Sequence, residues 1–277
     1  MSNARRWKAS AWERVALGVR RYCGSWSAVL EYLVLNPCLR PELANLFARG
    51  ALSLKDDLGY RSSIIPAKEV WELFPGIEEV EVRVGRTLPD EGSSLSFREI
   101  VILCSIARSE NARVVFEIGT SLGVTAFNIA LNLPDDGILH TLDLPIASEG
   151  QDCIGTVYDV SISDRKMIFG NRQKRRFVGS SVESKVRPLF SDSAAFDYSP
   201  YQKHCDIVFV DGAHSLAYVE SDTKAAFALA RPGGLVVWHD YNNGFFWPDV
   251  HACLIRIAPQ YGIQRIRGTM FAIARAV

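Results

Sequence analysis

"VVFEIGTSLGVTAFNIA", residues 114–130, opens on an apolar run, turns through two glycines and continues with apolar residues at helical spacing. A run bounded in this way reads as a buried strand, a glycine-bearing turn and a helix. Backbone N–H groups at a helix start lack partners and glycine lets a ligand come close, so the turn suits an anionic or nucleotide-like ligand. Outward from it the pattern repeats. "ILHTLDL" (138–144), "KVRPLFSD" (185–192), "CDIVFVDG" (205–212) and "GGLVVWHD" (233–240) follow "RVVFEI" (113–118) as short apolar strands alternating with helices, which predicts a parallel α/β sheet. "GIQRIRGTMFAIARAV" (262–277) gives two strand-like pieces about Gly268, suited to an antiparallel hairpin on the sheet's edge. The expected fold is a Rossmann-like, seven-stranded, mostly parallel sheet with that hairpin, preceded by a helical extension.

The division expected is an N-terminal helical arm or cap over residues 1–90 and one domain over 91–277. In the arm, Trp12, Val15, Val19, Tyr22, Trp26, Val29, Leu30 and Leu33 recur at helical spacing, with Arg14, Arg20 and Arg21 mostly between them. Packing on the core or on a second subunit is the expected use of that face, hence a homodimer through the arm; a membrane surface is the alternative. "EEVEVRVG" (78–85) alternates like a strand, and Ser96 with Glu99 is spaced as a capping box opening a helix.

With 277 residues, 48% hydrophobic and 22% charged, the chain can bury a substantial core. A formal net charge of zero provides no global field for nucleic acid. The six cysteines are scattered without a CxxC pair, which suggests neither zinc nor redox chemistry and suits a cytoplasmic setting. Charges interrupt every early apolar run, so neither a signal peptide nor a membrane span is expected.

Ligands of open α/β sheets bind beyond the carboxyl ends of the strands. Those ends carry Glu117, Gly119, Ser121 and Gly123, then Asp143, Asp192, Asp211 with His214, and His239 with Asp240. One carboxylate there is commonplace; an acidic group at every core strand end, with strands about 4.8 Å apart, suggests one ligand stretched across several of them. Asp143 is placed to accept hydrogen bonds from a ribose diol. A dinucleotide fingerprint would need glycines at 119, 121 and 124, where Ser121 and Val124 interrupt it, and no G-K-[ST] follows for a P-loop. NAD is therefore the weakest of the rivals.

"FEIGTSLG", the acidic residue of "HTLDLP", and "DIVFVDGAHSLAYVESDTKAAFALARPGGLVVWHDY" resemble a class I S-adenosylmethionine-dependent methyltransferase. The last stretch is especially similar to the small-molecule O-methyltransferases of the macrocin and catechol type. The resemblance spans about residues 93–277. It implies that Glu117, Gly119, Thr120, Ser121 and Gly123 surround the methionine moiety, that Asp143 holds the ribose, and that Asp192 and Ser193 meet the adenine amino group. It also implies that Asp211 and Asp240 bind a divalent cation, expected as Mg2+, with His214 as base; Asp211 borders the cofactor as well. The catechol pattern has Asp-Asn where this chain has Asp240 and Tyr241, which leaves the cation's protein ligands open, with Asn242 or Asn243 as substitutes.

The chemistry is coherent, because methyl transfer from a sulfonium needs donor and acceptor held in line and a hydroxyl acceptor needs its proton to leave. The expected activity is S-adenosylmethionine-dependent O-methylation of a small molecule, a sugar or glycosylated metabolite. The alternative is a non-catalytic cofactor-binding or assembly module. His239, one residue before Asp240, is expected by strand alternation to face the opposite way, against a covering helix in a structural role. "DRKMIFGNRQKRRF" (164–177) reads as a basic lid or a solvated loop, and Phe245, Phe246 and Trp247 as an acceptor wall or a packing contact.

Overall fold

The computed structural model describes residues 65–86, 95–145, 156–160, 164, 175–241 and 247–277. The N-terminal arm, most of the basic insertion, and Asn242, Asn243, Phe245 and Phe246 lie outside the described residues. Strands β2 (Val114–Ile118), β3 (Ile138–Asp143), β4 (Val186–Phe190), β5 (Cys205–Val210) and β6 (Ala230–Trp238) pair in parallel in the order β6-β5-β2-β3-β4. Strands β7 (Gln264–Ile266) and β8 (Ala272–Arg275) form the expected hairpin, with β8 antiparallel to both β7 and β6. Gly268, at φ 72°, lies in its turn.

Among the described residues the sheet has eight strands rather than seven, because β1 (Ala67–Lys68) adds in parallel to β7 at the edge. This strand comes from the segment assigned to the arm. Phe74 and Ile77, around helix α1 (Val70–Leu73), are buried in the same core as helix α2 (Phe97–Ser109), so the domain's packing crosses the expected boundary at residue 90. "EEVEVRVG" is not a strand. Its backbone is claimed instead by side chains of helix α3 (Val124–Asn132): Arg83 N–H donates to Asn132 Oδ1 and Gly85 N–H to Asn128 Oδ1, both at 2.9 Å.

Alternation along the strands divides the core in two. Val115, Phe209, Leu235 and Val237 face α2 and α3, meeting Ile100, Leu103, Phe127 and Ile129. Phe116, Ile118, Val208, Val236 and Trp238 face helices α4 (Leu216–Leu229) and α5 (Pro248–Tyr261), meeting Val219, Leu229, Val250 and Leu254. At about 1.5–3 kcal/mol for each fully buried large apolar side chain, these two layers dominate the fold's stability. Among the described residues no helix is long and apolar enough to cross a membrane. The strand order reverses between β2 and β5, which opens a crevice at their carboxyl ends.

Candidate active site

The turn after β2 lines that crevice. Gly119 sits at φ 101°, and a Cβ there would lie 2.0 Å from the carbonyl oxygen of Asp211, so only glycine allows the turn to press against the end of β5. Gly123, also left-handed, caps α3. Ser121 adopts φ 47° and donates its N–H to Asp143 Oδ2 at 3.0 Å, joining the turn to the end of β3.

Glu117 points into the same space from the floor. One oxygen accepts a hydrogen bond from Thr141, whose hydroxyl also meets Thr120 at 2.6 Å; the other is buried without a hydrogen-bond partner. Burial, with the charges of Asp211 and Asp143 adding to it and the Thr141 bond opposing, pushes the Glu117 carboxyl up to about 8. Such a carboxyl can accept a cationic ligand group but has no protein cation bonded to it.

Asp143 is already partly engaged. Arg175 Nη2 lies 3.1 Å from Oδ2, and Leu144 N–H donates to Oδ1 at 2.8 Å. Burial raises the Asp143 pKa, and the Arg175 charge opposes the rise. Arg175 is itself buried, lies over the Phe190 ring, and keeps Nη1 without a hydrogen-bond partner. Further along the crevice Asp192 accepts from Val157 N–H at 2.7 Å, Tyr218 Oη at 2.5 Å and Ala194 N–H at 2.7 Å. Much of its accepting capacity therefore serves the fold. Ser193 accepts Tyr198 Oη at its carbonyl, 3.0 Å away. Beside them, burial pushes the Asp222 carboxyl up to about 7, with the charge of Asp192 adding to it and a hydrogen bond from Ser193 opposing it.

At the ends of β5 and β6 the structure brings Asp211, His214 and Asp240 together, with one ligand atom of each within 4.8 Å of the others. His214 lies between two carboxylates: Nδ1 is 2.6 Å from Asp164 Oδ1 and Nε2 is 2.9 Å from Asp240 Oδ2. Trp247 stacks on its ring at 3.8 Å. Burial disfavours charge on His214, but the hydrogen bonds and charges of Asp164 and Asp240 outweigh it and push the pKa up to about 10. In this arrangement two carboxylates favour the charged form of His214, the residue expected as base.

His239 joins the same cluster. Alternation does turn it toward α2, where Nε2 lies 3.7 Å from Glu99 Oε1, but Asp240 is not turned away from it. Asp240 adopts φ 61°, which ends the strand's alternation and lets its carboxylate approach His239 Nδ1 at 3.2 Å; Asp211 Oδ1 lies 3.3 Å from the same nitrogen. Despite burial, these carboxylates hold the His239 pKa well above the ordinary histidine value. Burial also opposes ionisation of Asp240 and Glu99, yet the imidazoles keep Asp240 well below the usual carboxylate range, and His239 with the Met270 N–H holds Glu99 at about 2.

Glu99, Asp164 and Arg175 were not among the residues singled out for the site. The capping box fully accounted for Glu99, and it is present: Ser96 and Glu99 exchange side-chain to N–H bonds. Asp164 and Arg175 lie in an insertion whose only signal is its charge.

Residues 116–241 match a family model described as a methyltransferase domain. Similar solved structures include the O-methyltransferase TomG from Streptomyces achromogenes, involved in tomaymycin synthesis and bound to S-adenosylmethionine, at 20% identity and TM-score 0.47 over 80% of this chain and 95% of that one. A methyltransferase from Podospora anserina bound to S-adenosylhomocysteine is 14% identical with TM-score 0.49, covering 74% of this chain and 86% of that one. An O-methyltransferase from Bacillus cereus, also with S-adenosylhomocysteine, is 15% identical with TM-score 0.46, covering 79% and 96%. No curated protein sequence matches the chain. With the strand order reversing at β2 and β5 and β8 antiparallel beside β6, the family match makes residues 116–241 of this chain similar to a methyltransferase domain.

Proposed function

We propose that the chain transfers the methyl group of S-adenosylmethionine to a hydroxyl oxygen of a small molecule, with a sugar or glycosylated metabolite as the acceptor class. One observation carries the reading: the turn that faces the methyl donor and the cluster that handles the acceptor's proton are in direct contact, Gly119 lying against the backbone of Asp211. Donor and acceptor are thereby confined to one place, the condition an in-line displacement needs.

The crevice suits the cofactor. The unpartnered oxygen of Glu117 offers an acceptor for an ammonium group, Asp143 offers carboxylate oxygens to a ribose diol, and glycines at 119 and 123 leave the turn without side chains there. Thr120 and Ser121 would line the methionine end, and Asp192 with Ser193 the adenine end. The cofactor supplies an electrophilic methyl on sulfur; the protein supplies position and removal of a proton. Asp211, whose side chain is 22% exposed against 10% for Asp240, is the carboxylate placed to accept the hydroxyl proton. His239 and His214 hold Asp211 and Asp240 in place. Mg2+ does not fit this donor set: magnesium takes oxygen ligands in near-octahedral geometry, whereas imidazole nitrogens from His214 and His239 point inward. A cytoplasmic setting suits the free, buried thiols of Cys104, Cys205 and Cys253.

Asp211→Asn tests the assignment. Turnover on a hydroxylated acceptor should fall by roughly 100-fold or more, as for loss of a general base, with S-adenosylhomocysteine affinity within a few-fold of wild type. Undiminished turnover in this variant would remove Asp211 from the chemistry.

A further inference from the structure

We infer that Asp164 is a positioning residue for the proposed methyl transfer: it holds the His214 ring in the orientation that turns Nε2 onto Asp240, beside the carboxylate that receives the acceptor's proton. The inference deepens the proposed function and rests on it for the reaction that the cluster serves.

Asp164 grips His214 at two points. Its Oδ1 lies 2.6 Å from His214 Nδ1, and its Oδ2 accepts the backbone N–H of the same residue at 3.2 Å. Ring and main chain are thereby fixed to one carboxylate. The histidine χ2 torsion is broad and roughly two-fold, so an unheld ring has two orientations related by a half-turn. Trp247, stacked at 3.8 Å with 14° between the planes, sets the plane of the ring but serves both orientations equally. A half-turn would carry Nδ1 away from Asp164 and point a carbon at Asp240, losing both contacts. With Asp164 in place, Nε2 meets Asp240 Oδ2 at 2.9 Å. The hydrogen bond made at one imidazole nitrogen also sets what the other can do.

This contact is more than a fastening for the insertion. Asp164 is 3% exposed, and taking a carboxylate out of water is costly until a partner offsets the loss. A neutral pair would tie the same segment down with less desolvation.

The row of contacts that begins at Asp164 ends at the proposed base. Asp240 Oδ2 is 3.2 Å from His239 Nδ1, and that nitrogen is 3.3 Å from Asp211 Oδ1. Side-chain exposure falls from 22% at Asp211 to 10% at Asp240 and 4% at Asp164, so the acceptor meets Asp211 and not Asp164. In the transfer the sulfur–carbon bond breaks, the oxygen–carbon bond forms, S-adenosylhomocysteine leaves and the hydroxyl proton passes to Asp211. Asp164 exchanges neither proton nor methyl group and acts through His214.

The test compares the full chain with Asp164→Asn, which keeps the side chain's shape but cannot accept at both contacts. Three readouts are taken: imidazole N–H resonances of isotope-labelled protein, with His214→Gln to assign the ring; S-adenosylhomocysteine affinity with unfolding temperature; and steady-state kinetics with methyl glycosides as acceptor probes. The wild type should show a far-downfield, exchange-protected His214 N–H resonance, and Asp164→Asn should lose it. The variant's kcat should fall by about 10- to 100-fold, the effect of a small misplacement at a reacting centre. Its KM for S-adenosylmethionine and its S-adenosylhomocysteine affinity should stay within a few-fold of wild type. Unchanged kcat, or parallel losses of kcat, cofactor affinity and unfolding temperature, overturns the positioning role. A wild-type spectrum without the downfield resonance also overturns it, and this readout decides the matter if Asp164→Asn does not fold or no glycoside is methylated. Failure of the wild type to bind S-adenosylhomocysteine would instead strike at the reading on which the inference rests.

Discussion

Glu117 is the residue at the end of β2 whose carboxyl is most strongly displaced toward its protonated form. Its folded pKa of about 8 lies above the ordinary value of 4.5, so the folded protein keeps a proton that the unfolded chain releases between those values. A raised pKa of this kind stabilises the fold fully below pH 4.5 and loses its contribution as pH rises through about 8. Stability of the cofactor-free protein should therefore decline across that window, by up to about 1.4 kcal/mol per pH unit for one proton. Glu117→Gln should remove this share of the slope in urea titrations and leave the shares from Asp222, whose window ends near 7, and from His214, whose window runs from 6.5 to about 10; an unchanged slope would mean that Glu117 is ionised in the free protein. Arg175 makes the opposite kind of contact, since it occupies the Asp143 oxygen that the proposed ribose contact would use. Arg175→Ala frees that oxygen, and S-adenosylhomocysteine should bind about 3–10-fold more tightly, the worth of one net hydrogen bond. Weaker binding in calorimetry would make Arg175 a cofactor contact rather than a competitor.

Among the elements, the turn between β2 and α3 carries both fold and function. Gly119→Ala places a methyl group 2.0 Å from a backbone oxygen, in a conformation that L residues rarely adopt. The variant should lose on the order of 2 kcal/mol or more in urea unfolding, and cofactor affinity with it. A wild-type unfolding midpoint would show that the turn does not press on β5. The strands flanking this turn were legible because continuous apolar runs ending in acidic residues have few other readings. "EEVEVRVG" was misread because alternation cannot reveal that Asn128 and Asn132, one helical turn apart, satisfy its N–H groups. Strand β1, two residues long, has no period to detect.

Across the whole molecule, legibility followed the strand ends. Asp143, Asp211, His214 and Asp240 lie where strand order predicts, and the reversal at β2 and β5 gathers them at one crevice. What strand order does not contain is the set of groups that come in from elsewhere. Glu99 reaches the site from α2 while capping that helix, Asp164 and Arg175 reach it from the insertion, and His239 faces Asp240 only because Asp240 turns at positive φ. These contacts depend on three-dimensional closure and hold the His214 ring between carboxylates. The measurement that tests the central claim most directly is calorimetric titration of the full chain and of Asp143→Ala with S-adenosylhomocysteine, with NAD as control. The account predicts micromolar binding by the wild type, at least a roughly 30-fold loss in the variant, comparable to removing a charged hydrogen-bond acceptor, and no binding of NAD. Equal affinity in the two proteins, or binding of NAD in place of S-adenosylhomocysteine, would contradict it.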